Sequence, residues 1–277
     1  MKIELASSYG FCFGVKRAIR IAEQNPNSKT YGPLIHNKDE INRLKNGYGV
    51  TYVDNMDEIE PNESVVVRTH GIPKDELSIL RDQKNNIIDA TCPYVTKPQK
   101  IVEEMSAEGY DIVIFGDKNH PEIKGVMSYA TQGSNVYTVL DQSELEKEKL
   151  SGKVALVSQT TRKPEEFLKL ADFLILCVKE VRVFNTICNA TFENQDATQE
   201  LAKRCDVMIV IGGKNSSNTK QLYLISKRFC SDSYLVENQD EVDLKWFENK
   251  QMCGIAAGAS TPDWIVEEII KKVKTIC

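Results

Sequence analysis

One phrase recurs three times along this chain. Cys12 follows the strand-like run 2–5 in Gly10-Phe11-Cys12-Phe13-Gly14. Cys92 follows Ile87-Ile88 in Asp89-Ala90-Thr91-Cys92-Pro93, and Cys188 follows the run 181–184 in Thr186-Ile187-Cys188-Asn189-Ala190-Thr191. Each cysteine closes an apolar run and opens a helix-like segment. A residue so placed stands at the carboxyl end of a strand, where open α/β sheets collect their ligands. The cysteines lie 80 and 96 residues apart, so each third of the chain holds one.

Downstream of each cysteine the spacing repeats as well. His36 comes 24 residues after Cys12, His120 comes 28 after Cys92, and Ser216 comes 28 after Cys188. A later station falls at His70, Thr160 and Ser260, respectively 58, 68 and 72 residues after the cysteines. A period this long is not that of a solenoid. It predicts an α/β protein of three pseudo-threefold-related lobes with mostly parallel sheets, each lobe built of strand-loop-helix units whose strand ends face one centre. The lobes are expected at 13–92, 93–187 and 188–277, the last joined by the N-terminal strand 1–12.

The 277 residues are 41% hydrophobic and 27% charged, with a formal net charge of −5. That is the composition of a globular chain able to bury a substantial core. With no long block of like charge, it argues against a nucleic-acid or anionic-membrane partner. The N-terminus lacks the apolar core of a signal peptide, and no run approaches the ~18 residues of a membrane span. A cytoplasmic location is expected, and there the eight cysteines are read as thiols or metal ligands rather than disulfides. All three histidines fall on the stations described above.

Local patterns fill in the units. Val15, Ala18, Ile19 and Ala22 have helical spacing, and a helix is expected over 39–44 with Asn46-Gly47 ending it. Buried strands are expected at 64–68, 111–115, 154–157 and 206–211. Cys177 in the run 173–178 and Cys253 in 252–256 read as core thiols of apolar strands, and Cys205, Cys230 and Cys277 give no ligand signal.

Three groups carry chemistry. Cys12, Cys92 and Cys188 differ from core thiols because they lie in loops. Three thiolates leave one corner of a four-ligand site open to substrate, and spacing does not separate a catalytic zinc from a cluster iron. Lys214-Asn215-Ser216-Ser217-Asn218, preceded by Gly212-Gly213, and Gly258-Ala259-Ser260 place small polar residues at strand-to-helix junctions. Such residues offer N–H groups and hydroxyls to an anion, and plain helix capping is their equally weighted alternative. Histidines beside a diphosphate would add charge-assisted bonds of ~1.5–3 kcal/mol each. In His120-Pro121-Glu122, a desolvated Glu122 would hold a proton near neutrality, although an acidic residue in a first helical turn is also favoured by the dipole.

With these phrases in place, the sequence closely resembles the 4-hydroxy-3-methylbut-2-enyl diphosphate reductase (IspH/LytB) family from end to end. The matching phrases are Gly10-Phe11-Cys12-Phe13-Gly14-Val15, His36-Asn37, Thr69-His70-Gly71, Asp89-Ala90-Thr91-Cys92-Pro93, His120-Pro121-Glu122, Gln159-Thr160-Thr161, Ile187-Cys188-Asn189-Ala190-Thr191, Lys214-Asn215-Ser216-Ser217-Asn218 and Gly258-Ala259-Ser260. The resemblance implies lobes around a central 4Fe–4S cluster, with Cys12, Cys92 and Cys188 each holding one iron and the fourth iron taking the substrate's allylic hydroxyl. It assigns His36, His70, His120, Ser216, Ser217, Asn218 and Ser260 to the diphosphate. Glu122 becomes the proton donor, and Thr160 positions it or the hydroxyl.

The implied reaction is a two-electron, two-proton reductive dehydroxylation giving isopentenyl and dimethylallyl diphosphates in the non-mevalonate route. A ferredoxin- or flavodoxin-type donor would supply the electrons. One departure is visible: Asn194-Gln195 stands where the family usually carries Arg-Gln. Competing classes are a zinc-dependent phosphoester hydrolase, which would more often show clustered carboxylate or histidine ligands, and a non-catalytic diphosphate-binding protein.

Overall fold

The computed structural model describes residues 1–35 and 37–275, with the backbone alone at Ser217. Its strands are β1 (Lys2–Leu5), β2 (Lys29–Tyr31), β3 (Thr51–Val53), β4 (Ser64–Val67), β5 (Asn86–Asp89), β6 (Asp111–Phe115), β7 (Val136–Val139), β8 (Lys153–Ser158), β9 (Glu180–Val183), β10 (Val207–Ile211), β11 (Ser233–Val236) and β12 (Met252–Ala257). The α-helices are α1 (Phe13–Gln24), α2 (Lys38–Tyr48), α3 (Lys74–Asp82), α4 (Pro93–Ala107), α5 (Pro121–Met127), α6 (Pro164–Cys177), α7 (Asn189–Ala202), α8 (Ser217–Phe229) and α9 (Asp263–Lys274).

The strands form three four-stranded sheets, ordered β11-β10-β12-β1, β3-β2-β4-β5 and β7-β6-β8-β9. Every pairing is parallel. The three orders are one order. Counting strands within a sheet, each runs second, first, third, fourth, and β1 supplies the fourth strand to the sheet of β10, β11 and β12. The chain divides into two compact units, Met1–Glu23 with Ile35–Gly49 and Asn189–Cys277, and Gln24–Leu34 with Val50–Cys188. The first unit holds one sheet and the second holds two.

Both faces of the central strands are covered, so these strands read as unbroken apolar runs. In β10, Val207, Ile209 and Ile211 pack with Ile265, Val266, Ile269 and Val273 of α9, and Met208 packs on the opposite side with Leu201 and Ala202 of α7. In β6, Ile112 and Ile114 pack against Val102 and Met105 of α4 and Ile123 of α5. Proline opens α4, α5 and α6, where its missing N–H costs nothing.

Two local expectations are corrected, and one strand without a sequence signal is added. The helix expected to stop at Asn46-Gly47 runs on to Tyr48; its true stop is Gly49, whose φ of 68° lets its N–H reach the carbonyls of Leu44 and Lys45. The edge strand β3 had no separate signal, since three residues are too few to show a period. Cys177 is the exposed last residue of α6, not a core thiol of a strand. Phe173-Leu174-Ile175-Leu176 is a short apolar run of the kind that periodicity cannot assign between strand and helix.

Candidate active site

Three of the four strand positions in each sheet deliver a station. First strands β2, β6 and β10 lead to positions 36, 120 and 216; third strands β4, β8 and β12 lead to His70, Thr160 and Ser260; fourth strands β5, β9 and β1 lead to the three cysteines. The second strand, always at an edge, delivers none. His36 lies outside the described residues, and nothing is described of the Ser217 side chain.

One backbone bond repeats at all three cysteines. The Cys12 N–H donates to the Ala259 carbonyl at 3.3 Å, Cys92 N–H to Thr69 at 3.0 Å, and Cys188 N–H to Thr160 at 2.7 Å. Each cysteine is thereby pinned to the neighbouring loop that carries Ser260, His70 or Thr160. The fourth strand pairs with the third in every sheet, so the two loops leave the sheet side by side. Among the described cysteines none forms a disulfide, and Cys12, Cys92 and Cys188 are all partly accessible. Among the described residues no three His, Cys, Asp or Glu side chains are gathered tightly enough to hold a metal ion. Cys12 belongs to the first unit, Cys92 and Cys188 to the second.

In the second unit the chemistry centres on Glu122, which is 2% exposed. Its Oε1 accepts the Thr160 N–H at 2.7 Å and its Oε2 faces the Thr160 hydroxyl at 2.8 Å. Burial pushes its pKa above the ordinary 4.5, and the two Thr160 bonds oppose that rise without cancelling it. The N–H can only donate, so Oε1 is committed as an acceptor. The hydroxyl can reverse, so a proton on the carboxyl sits on Oε2 and points at Thr160 Oγ1.

His120 caps α5, its Nδ1 accepting the Glu122 N–H at 3.2 Å, which leaves Nε2 as the protonated nitrogen of the neutral ring. The His70 ring stands edge-on to it with centroids 5.6 Å apart. Gln159, absent from the candidates drawn from the sequence, ties the loops together. Its Oε1 accepts the Asp117 N–H at 3.1 Å and its Nε2 donates to Thr161 Oγ1 at 3.3 Å. Its only sequence signal was its place in the Gln159-Thr160-Thr161 phrase.

In the first unit, Ser216 is the N-cap of α8, its hydroxyl accepting the Thr219 N–H at 3.3 Å. The capping alternative is therefore real for this residue. It does not extend to Asn218: both polar ends of its amide are out of water and have no hydrogen-bond partner. The neighbouring Thr219 hydroxyl is likewise buried and unpartnered, a feature no residue pattern announces. Unmade buried bonds cost ~1–3 kcal/mol each, so these atoms would gain from a hydrogen-bonding ligand.

Glycine is required around them. A Cβ on Gly212, whose φ is 146°, would lie 2.7 Å from the hydroxyls of both Thr219 and Thr261. Beside this, Ser260 shares its loop with the carbonyl that holds Cys12. The Oδ1 of Asn194, the departing residue, is buried and accepts the Ser8 hydroxyl at 2.5 Å, so α7 grips the loop leading to Cys12.

The fold and these loops define a class of protein, an all-parallel α/β enzyme scaffold of three equivalent sheets with thiols, imidazoles and a buried acid at the strand ends. The model of the LytB protein family matches residues 3–274. A 4-hydroxy-3-methylbut-2-enyl diphosphate reductase of Sulfurovum sp. (strain NBC37-1) is 66% identical over 276 residues, covering 100% of both chains. The reductase of the same name from Campylobacter concisus is 62% identical over 276 residues with the same coverage.

Of solved structures, an (E)-4-hydroxy-3-methyl-but-2-enyl diphosphate reductase, described as the terminal enzyme of the non-mevalonate pathway, is 40% identical with a TM-score of 0.81 over 99% of each chain. The corresponding Plasmodium falciparum reductase is 26% identical with a TM-score of 0.83, over 98% of this chain and 87% of that one. The chain belongs to the LytB family.

Proposed function

We infer that the chain reduces 4-hydroxy-3-methylbut-2-enyl diphosphate at the last step of the non-mevalonate route. Two electrons and two protons replace the C–O bond with C–H and release the oxygen as water, giving isopentenyl and dimethylallyl diphosphates. The observation that carries this reading is the buried Glu122 acid, held at both oxygens by Thr160 and raised in pKa, beside two imidazoles.

The three pinned, accessible thiols suit a thiophilic centre, and in this reading Cys12, Cys92 and Cys188 hold a 4Fe–4S cluster. When bound, the cluster supplies the two electrons one at a time, received from a ferredoxin- or flavodoxin-type carrier. No helix among the described residues is long and apolar enough to cross a membrane, and a cytoplasmic location belongs to the reading.

The chain's own residues do the rest. His36, His70, His120, Ser216, Ser217, Asn218 and Ser260 bind the diphosphate. His120 offers its Nε2–H because its Nδ1 is occupied as an acceptor. The unpartnered Asn218 amide gains the bonds it lacks when an anion arrives. Hydroxide is a poor leaving group, so the substrate's hydroxyl must be protonated as it departs. Glu122 passes the proton from Oε2 to Thr160 Oγ1, whose own O–H turns outward to the substrate. The protein purified without air is expected to be brown and to form both products from the named substrate with dithionite-reduced methyl viologen. Colourless protein, or coloured protein with no product, refutes the reading.

A further inference from the structure

A second concentration of sulfur lies at the opposite, amino ends of the strands in the first unit. Met208, the second residue of β10, and Cys230, just after α8, are buried in one apolar cluster with Ala6, Leu201, Ala202 and Ala256, and Cys205 and Met252 pack against it. Met208 pairs in register with Gly254 of β12. A Cβ on Gly254 would collide with Met208 Sδ and lie 2.7 Å from Cys205 Sγ, so two sulfurs lean over one bare stretch of backbone. The Cys205 and Cys230 thiols are close enough to interact electrostatically. Cys205 is partly accessible while Cys230 is buried, which gives the cluster a way in.

Core packing alone accounts for any one of these residues. It does not by itself predict two thiols and two thioethers gathered in one cluster, where the Ser233 side chain is the polar neighbour bonded to Cys230. We propose that Cys205, Cys230 and Met208, with Met252 at the rim, form a binding site for a soft monovalent d10 cation, copper(I).

Thiolate and thioether donors select copper(I), and thioethers are poor ligands for zinc. One ion replaces the two thiol protons, which leave to solvent; the two thiolates and the cation carry one net negative charge. Arg204 near Cys205 and Lys250 near Cys230 are the cations of this region, each already ion-paired, to Glu4 and Asp232 respectively. Burial pushes the Cys205 thiol up to about 11. Thiolate is therefore scarce at neutral pH and reaction with oxidants is slow, whereas a metal that displaces the proton is not so limited.

The test is anaerobic titration of the complete, cluster-loaded protein with copper(I) against the chromogenic chelator bicinchoninate. Wild type is expected to take up one tight equivalent more than the Cys205→Ser/Cys230→Ser double variant, with X-ray absorption showing sulfur neighbours only. Met208→Leu should keep the stoichiometry and weaken the affinity about tenfold, ~1.4 kcal/mol. Zinc(II) should not compete. Cys205→Ser alone, at the accessible position, should lose the same equivalent and serves if the double variant does not fold. Without copper, both variants should keep wild-type cluster absorption. Equal copper uptake by wild type and Cys205→Ser, or nitrogen and oxygen neighbours around the metal, overturns the site.

Discussion

Glu122→Gln separates the proton from everything else the side chain does. Glutamine has the same shape, its carbonyl oxygen can take the Thr160 N–H that Oε1 accepts at 2.7 Å, and its amide can donate to the Thr160 hydroxyl now 2.8 Å from Oε2. Packing and both bonds therefore survive, and only the donatable proton is lost. General acid catalysis contributes about 10²–10⁴-fold, equivalent to ~3–5 kcal/mol of barrier. With saturating reduced methyl viologen, kcat should fall by that factor while KM and cluster absorption stay within a few-fold of wild type.

The pH dependence gives an independent check. Activity requires protonated Glu122, whose pKa is raised by burial, so wild-type turnover should decline as pH rises through that native value, and this limb should vanish in the variant. Stability follows the same sign. The raised carboxyl contributes fully below its unfolded pKa and loses that contribution as pH rises through the native one. The Tm of Glu122→Gln relative to wild type should therefore climb across the same interval. Wild-type kcat in the variant, or an unchanged basic limb, would refute the assignment of Glu122 as the acid.

Two further outcomes are expected. Serine at Cys12, Cys92 or Cys188 should sharply lower iron content and turnover, whereas Cys177→Ser, exposed at the end of α6, should keep both and change stability by no more than ~0.5 kcal/mol; iron analysis and thermal melts decide. Asn218→Ala should weaken binding of inorganic diphosphate about 10–150-fold, one charge-assisted hydrogen bond, without lowering Tm, because the amide has no partner to lose within the protein; calorimetry showing undiminished affinity would remove Asn218 from the pocket.

The three-lobe plan was legible because its stations interrupt the chain where a strand hands over to a helix. Small polar residues, cysteine and histidine at those points contrast with the buried runs before them, such as Asp111–Phe115 and Val207–Ile211. Shared strand order was not legible. Parallel pairing depends on which apolar runs lie side by side, and β1 reaches β12 across almost the whole chain. Edge strands were the weakest signal. Thr51–Val53 is short and half-exposed, so it carries neither a period nor an unbroken apolar run.

The site divides along a physical line that residue types do not draw. Serine, asparagine and histidine at a helix start satisfy backbone N–H groups or bind anions with the same atoms. The structure shows which of those atoms are already committed. Ser216 gives its oxygen to the Thr219 N–H and His120 gives Nδ1 to Glu122, so those two acceptors are already committed within the protein. Asn218 commits nothing and sits in the same turn with its amide buried and unpartnered. Capping accounts for the first two residues and predicts no such cost for the third. An anion at the α8 turn accounts for both Ser216 and Asn218, using the donors that capping leaves over.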